Sequence, residues 1–121
     1  MYMVMAQVGR GVLFCSTPQA PLYAPEVLTP FVAVDVGLYS QGWQCGDKLL
    51  IEGPGWQLEA LALDAGPLDG FYVLQPEGHL EPIVVDIPKQ WAPFEGLSNG
   101  PVEVHNLSLT EGPNQSSEVR P

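Results

Sequence analysis

Glycine and proline each occur 13 times among the 121 residues, and they divide the chain into short segments. Between them lie apolar or β-branched runs of about four to eight residues, and no helical period of apolar residues persists beyond about ten. This pattern predicts an all-β domain that is a small barrel or a sandwich, and the barrel is favoured because closure removes exposed strand edges. The predicted strands are Val8–Cys15, Phe31–Val36, Lys48–Glu52, Trp56–Asp64, Phe71–Gln75, Pro82–Ile87 and Val102–Leu109.

The other segments are predicted as turns, one short helix and a tail. Glu52–Gly55 reads Glu-Gly-Pro-Gly, which predicts a tight turn and makes a hairpin of the third and fourth strands. Pro18–Pro30 holds four prolines and is expected to be an extended loop. Pro88–Glu95 is expected to hold a helical turn that stops at Gly96. We expect one domain, residues 1–110, followed by a flexible polar tail at 111–121.

The chain carries 14 acidic residues against 4 basic ones, a formal net charge of −10. Nucleic acids and anionic membrane surfaces bind clusters of Lys and Arg, so neither is an expected partner. No run approaches the roughly 18 apolar residues of a membrane-spanning helix, so membrane insertion is not expected. At the start of the chain Arg10 follows the apolar residues instead of preceding them, and we therefore expect no signal peptide in this chain.

The two cysteines, Cys15 and Cys45, do not have the spacing of a metal site. They are interpreted either as a disulfide, in a protein that works outside a cytoplasm, or as two buried thiols. The chain has only two histidines, His79 and His105, so a zinc site is not expected. No metal and no cofactor are predicted.

Three aspartates, Asp35, Asp64 and Asp86, each end or interrupt an apolar strand. A carboxylate at such a place is held by a rigid scaffold while it faces a groove, which suits catalysis or binding. Aspartate also favours strand ends for a purely local reason, because its side chain bonds the backbone of the following turn. Both interpretations stay open for these three residues.

Four short motifs follow one another along the chain: Val32–Asp35, Cys45–Ile51, Ala62–Leu68 and Val84–Pro88. In this order they resemble the motifs of the double-psi β-barrel superfamily. Its members include the three-aspartate domain, the catalytic barrel of membrane-bound lytic transglycosylase A, rare lipoprotein A, and the barwin and expansin domains. The resemblance covers residues 8–109 and implies a small six-stranded double-psi β-barrel with one short helix. Phe71–His79 occupies a gap that is longer than in three-aspartate proteins.

The resemblance implies a function in the cell wall. In the lytic transglycosylase relatives one aspartate, which corresponds to Asp64, protonates the glycosidic oxygen and then accepts the proton of the sugar's own 6-hydroxyl. An acid that serves twice needs a pKa raised by burial or by a neighbouring carboxylate, and Asp86 and Asp35 are the candidate neighbours. In expansin-like relatives the aspartate that corresponds to Asp86 matters, but the wall is loosened and not cut. We therefore expect peptidoglycan or another polysaccharide as the partner, with these aspartates as catalytic residues.

Flat aromatic rings are the expected sugar platforms, because pyranose faces stack on them. The candidate substrate-binding residues are Trp43, Trp56, Tyr39 and Tyr72. Trp56 adjoins a hairpin turn and is expected to be the most exposed of the tryptophans, whereas Trp91 is expected to pack inward.

Two alternatives to an enzyme remain open. One is a glycan-binding or wall-loosening module without turnover, and the other is a structural component of a virion or other assembly, with further subunits as its partners. An extracellular, periplasmic or virion-associated location is expected over a cytoplasmic metabolic role.

Overall fold

The structure is a computed structural model of the chain. It describes residues 12–68, 78, 83–97 and 100–109, together with the backbone of 3–6, 72–74 and 80–82. The predicted tail at 111–121 lies outside the described residues, as do residues 8–11 of the first predicted strand.

Short strands dominate the described residues and helix is almost absent, in agreement with the predicted all-β class. The strands are β1 (Met3–Ala6), β2 (Phe31–Asp35), β3 (Lys48–Gly53), β4 (Trp56–Gly66), β5 (Tyr72–Leu74), β6 (Leu80–Ile87) and β7 (Glu103–Asn106). The helices are α1 (Val36–Ser40) and two 3₁₀ turns, Ala24–Glu26 and Lys89–Trp91. None of the described helices is long and apolar enough to cross a membrane.

The strands pair into one sheet with the order β1-β6-β2-β4-β3-β7, and β5 pairs with β6 off this path. β2 is parallel to β4 and antiparallel to β6, while β1 is parallel to β6. β3 lies between β4 and β7 and is antiparallel to both. Among the described residues no ladder joins β1 to β7, so the sheet as described is open, and the closed barrel that the sequence predicts is not confirmed.

One face of the sheet carries the main hydrophobic core. Successive side chains of a strand point to opposite faces, so Val32 and Val34 of β2 share this face with Val85 and Ile87 of β6. All four side chains are fully buried, and burial of such a side chain stabilises the fold by about 1.5–3 kcal/mol. The other buried members of this core are Leu49, Ile51, Ala60, Ala62 and Val102.

The opposite face carries a smaller cluster under the Pro-rich segment. Phe31 is buried there against Leu13 and Ala24. A backbone hydrogen bond from Leu13 N to Leu22 O, 2.9 Å long, closes the covering segment on itself. The segment predicted as an extended loop therefore covers part of the second face of the sheet.

The predicted strands that correspond to β2 to β6 are confirmed to within two residues at either end. The last predicted strand is confirmed only as the shorter β7. The turn between β3 and β4 is confirmed, and Gly55 takes a φ of 80° there, a conformation that favours glycine. The 3₁₀ turn at Lys89–Trp91 confirms the helical turn expected after β6.

The first predicted strand is wrong over its described part. Val12 forms only a single bridge, with Tyr23, and the chain turns at Phe14 and Cys15. Its apolar run reflects the burial of Leu13 in the smaller cluster, not a place in the ladder. The strand β1 lies earlier in the chain and was not predicted, and neither was α1.

Candidate functional site

Asp64 and Asp86 lie on the two strands that flank β2. Both are paired with Ala33, Asp64 in the parallel β2–β4 ladder and Asp86 in the antiparallel β2–β6 ladder. Directly paired residues share a face of a sheet, and here it is the face opposite the main core. With about 4.8 Å between neighbouring strands, the two aspartate Cα atoms are roughly 10 Å apart. We name Ala33, Asp64 and Asp86 the carboxylate row.

Asp86 is the residue of the carboxylate row whose surroundings alter its proton chemistry. The residue is half-buried, and among the described residues its Oδ1 is shielded from solvent and has no hydrogen-bond partner. Burial, and to a smaller degree the negative charge of Asp64, raise the pKa of Asp86 from 3.8 to about 6. A carboxyl group in this state can hold and release a proton near neutral pH.

Asp64 is held at two points by neighbouring residues. The backbone N–H of Phe14 donates to its Oδ1 at 3.1 Å. The hydroxyl of Tyr39 donates to its backbone carbonyl at 3.0 Å. Burial first, and then the charges of Asp64 and Asp47, raise the pKa of Tyr39 to about 12, so this hydroxyl keeps its proton and remains a donor.

The two residues that contact Asp64 also stack on each other. The rings of Phe14 and Tyr39 have centroids 4.8 Å apart with an interplanar angle of 30°. Phe14 is 47% exposed, whereas Tyr39 is half-buried. The pair therefore presents a partly exposed aromatic surface beside the carboxylate row. Tyr39 was among the predicted substrate-binding residues, but Phe14 was not, because it was placed within a strand.

A disulfide fixes the segment that carries Phe14. Cys15 and Cys45 are bonded, with Cα atoms 5.5 Å apart. This resolves the two alternatives left by the sequence in favour of the disulfide. The backbone N–H of Cys15 also donates to Leu63 O at 3.1 Å, next to Asp64 on β4. The disulfide and this hydrogen bond together hold Phe14 in place over β4.

Asp35, the third predicted catalytic aspartate, caps α1. Its Oδ2 accepts a hydrogen bond from Gly37 N at 2.9 Å, which satisfies one of the free N–H groups at the start of the helix. A Cβ atom at Gly37 would lie 2.8 Å from this oxygen, so the glycine permits the close approach. Asp35 therefore affects the carboxylate row only indirectly. It caps α1, and α1 carries Tyr39, whose hydroxyl donates to Asp64 O.

The predicted tryptophan platforms pack against the main core. Trp43 and Trp56 are half-buried there, and Trp56 also covers Gly53, where an added Cβ would lie within 2.2 Å of its ring. Trp56 is half-buried, as Trp43 and Trp91 are, so the expectation that it is the most exposed of the tryptophans stays a prediction. Trp91 packs inward as predicted and contacts both clusters. The side chain of Tyr72 lies outside the described residues.

No protein-family model matches the chain, and neither a curated protein nor a solved structure matches it. The geometry and electrostatics of its own residues are therefore the basis for a functional proposal.

Proposed function

We propose that this chain acts on a cell-wall glycan, with Asp86 as the general acid on a glycosidic bond. The carrying observation is the raised pKa of Asp86, about 6, in a row with a second carboxylate. A general acid must hold its proton at the working pH and still give it up readily. Asp86 therefore suits this task better than Asp64, the residue to which the family resemblance assigns it.

The proposed reaction moves one proton twice. Asp86 gives its proton to the glycosidic oxygen as the bond from that oxygen to the anomeric carbon breaks. The resulting carboxylate then takes the proton of the sugar's 6-hydroxyl, whose oxygen bonds the anomeric carbon and closes an anhydro ring. No water is consumed, and Asp86 ends in its protonated form.

Asp64 supplies charge and not a proton in this proposal. Positive charge develops on the sugar ring as the glycosidic bond breaks. A fixed carboxylate on the same face of the sheet stabilises that charge, since it needs no reorganisation during the reaction. The hydrogen bonds from Phe14 N and Tyr39 Oη keep Asp64 in place for this role.

The stacked pair of Phe14 and Tyr39 is the proposed sugar platform. Pyranose rings bind flat apolar surfaces, and the exposed half of Phe14 offers one beside Asp64. This assignment replaces Trp43 and Trp56, whose rings pack against the core.

We further propose that the sheet closes into a double-psi barrel and that the protein works outside a reducing cytoplasm. The order of the four sequence motifs supports the first point, as does the position of β2 between a parallel and an antiparallel neighbour. The Cys15–Cys45 bond supports an extracellular, periplasmic or virion-associated location, because such bonds persist in oxidising compartments.

A glycan-binding module without turnover is the second candidate. It is favoured by the two aspartates whose carboxylates already have backbone partners, Asp64 with Phe14 N and Asp35 with Gly37 N. Such carboxylates are suited to hold a groove in shape, and a binding module needs no more from them.

The test is incubation of the purified protein with isolated peptidoglycan, followed by mass spectrometry of the soluble products. Asp86→Asn removes the proton donor, Ala33→Leu fills the space between the two carboxyl groups, and Glu95→Gln is a control that removes one exposed carboxylate elsewhere. Anhydro-sugar products from the wild type and from Glu95→Gln, but not from Asp86→Asn, support the proposal.

Each remaining outcome points elsewhere. Reducing-end products indicate a hydrolase and contradict the one-acid mechanism. Retention on insoluble peptidoglycan without any product supports the binding module. Neither product nor retention contradicts both glycan proposals and leaves a structural protein of a larger assembly.

A further inference from the structure

The geometry points to a binding site for a divalent transition-metal ion at Glu52, Glu103 and His105. Glu52 of β3 is paired directly with Glu103 of β7, so their side chains lie on one face. His105 lies two residues beyond Glu103 on the same strand and therefore points to that face as well. One potential ligand atom from each residue lies within 4.8 Å of the other two.

The charges at this place lack a matching cation. Two carboxylates directly opposite each other in a sheet destabilise it. Among the described residues their only partner of basic type is His105, whose Nε2 lies 3.0 Å from Glu52 Oε1 and 3.6 Å from Glu103 Oε1. One ring nitrogen carries at most one hydrogen, which cannot point at both carboxylates. A metal ion placed between the three side chains would contact both carboxylates and the imidazole at once.

A fourth residue orients one of the proposed ligands. Gln57 of β4 is paired with Glu52, and its Nε2 donates to Glu52 Oε2 at 2.9 Å. This leaves Oε1 as the oxygen that faces His105. Hydrogen bonds of this kind fix the ligands of metal sites and raise their affinity. The row Gln57, Glu52 and Glu103 crosses three hydrogen-bonded strands, so the donors are held by rigid elements.

The site opens onto a shallow depression. A volume of about 250 Å³ is lined by Glu52, Gly53, Pro54, Pro101, Val102 and Glu103. Three protein ligands leave coordination positions free for water or for a group of another molecule. One imidazole with two carboxylates is a donor set for zinc and the neighbouring first-row metals, whereas calcium and magnesium take oxygen ligands alone.

The ligands were not visible along the chain, because 50 or more residues separate Glu52 from the other two. The expectation of no zinc site rested on the presence of only two histidines beside two cysteines without metal-type spacing. The register of β3 against β7 brings Glu52, Glu103 and His105 together. The proposed site is on different strands from Asp86 and does not depend on the proposed glycan chemistry.

The test is calorimetric titration of the full chain with ZnCl₂, in the wild type, His105→Gln, Glu103→Gln and Gln57→Ala. Glu95→Gln is the control, because it removes the same charge from an exposed turn. We expect one ion per chain, at least about tenfold weaker binding in His105→Gln and Glu103→Gln, and a smaller loss in Gln57→Ala. Glu95→Gln should bind as the wild type does.

Titrations with CoCl₂ and CaCl₂ separate a built site from general attraction to an acidic protein. Bound Co²⁺ should absorb more strongly in the visible than the six-coordinate aquo ion does, because these bands strengthen when the coordination number falls. His105→Gln should reduce this gain in absorption, since it removes one of the three protein ligands. The proposal is overturned if the wild type shows no saturable Zn²⁺ binding, or if all variants bind alike. It is overturned equally if Ca²⁺ binds as tightly as Zn²⁺ and His105→Gln has no effect. Thermal unfolding of each variant without metal verifies that a loss of binding does not reflect a loss of fold.

Discussion

The sheet brings carboxylates close together in two regions, and these regions differ in how the repulsion between the carboxylates is relieved. In the carboxylate row, Asp64 and Asp86 lie on either side of Ala33, and both are half-buried. On β3 and β7, Glu52 and Glu103 face each other directly and are more exposed. In the first region burial favours the uncharged form, so the repulsion is relieved by a proton on Asp86. In the second region both carboxylates are partly exposed to solvent, and a bound cation would relieve their repulsion.

The comparison assigns different chemistry to the two regions. A carboxyl group whose pKa is raised to about 6 can serve as a proton donor at mildly acidic pH. A pair of ionised carboxylates beside an imidazole is a set of ligands. The following experiments test this difference, and two of them also measure whether a change in or beside the carboxylate row alters zinc binding.

The largest expected effect is on activity. If Asp86 is the general acid, Asp86→Asn should lower the rate of glycan cleavage by about 10²- to 10⁴-fold, because an amide cannot transfer the proton. Zinc binding should be unchanged, since no proposed ligand is altered. The measurement is the rate of product release from peptidoglycan, beside the zinc titration. A variant that retains full cleavage would show that Asp86 is not the acid.

Removal of the disulfide should have the next largest effect. The Cys15–Cys45 bond spans 30 residues, and the entropy of closing such a loop corresponds to about 3.5 kcal/mol. The double variant Cys15→Ala/Cys45→Ala should unfold at a correspondingly lower denaturant concentration. The amide resonance of Phe14 should shift, because the segment that donates to Asp64 is released. Loss of zinc affinity in the folded double variant would contradict the independence of the two regions.

The pH dependence of stability tests the state of Asp86 directly. Its folded pKa is about 6, above the ordinary value of 3.8, so between these values the folded protein binds more protons than the unfolded chain. The stabilising contribution of the protonated group is therefore complete below about pH 4 and is lost as the pH rises through about 6.

Asp86→Asn removes this dependence. The melting temperature of the variant minus that of the wild type should increase from pH 4 to pH 7 and then level off. Thermal unfolding of both proteins in matched buffers measures the difference, and the other acidic groups cancel in it. A constant difference across this range would mean that the pKa of Asp86 is not raised in the folded protein.

Asp35 distinguishes a structural carboxylate from a catalytic one. Asp35→Ala should cost about 1 kcal/mol of stability, because the cap of α1 is lost. Asp35→Asn should keep both stability and activity, since an amide oxygen also accepts from Gly37 N. Denaturant unfolding and the cleavage assay measure the two effects. A folded and stable Asp35→Asn variant without activity would instead support a catalytic role for Asp35, as the sequence predicts.

The sequence predicted most of the strands because glycine and proline mark their ends, as the turn at Gly55 illustrates. It also selected Asp64 and Asp86, since both follow runs of apolar residues near the ends of strands. The resemblance assigned the proton to Asp64, whereas the raised pKa belongs to Asp86. That depends on burial and on the shared pairing with Ala33, which are properties of the assembled sheet.

Two further features were beyond the reach of the sequence for related reasons. The helix α1 has only five residues, too few for a helical period, and its signal is the short spacing from Asp35 to Gly37. Phe14 was assigned to a strand because its neighbours are apolar, although the chain turns there. Local composition does not separate a strand from a segment that packs over a sheet, and the contact of Phe14 N with Asp64 follows only from the second arrangement.

The smallest expected effect concerns the exposed pair. In the absence of metal, Glu103→Gln should stabilise the protein by about 0.2–1 kcal/mol, because it removes one of two like charges directly opposed across β3 and β7. In excess Zn²⁺ the sign should reverse, since an ion that binds only the folded wild type stabilises it in proportion to the logarithm of its concentration. Thermal unfolding of the wild type, Glu103→Gln and Glu95→Gln, each with EDTA and with ZnCl₂, measures both signs. If Glu103→Gln is more stable than the wild type by the same amount with and without zinc, Glu52 and Glu103 only repel each other and do not bind the ion. The two regions would then differ in burial alone.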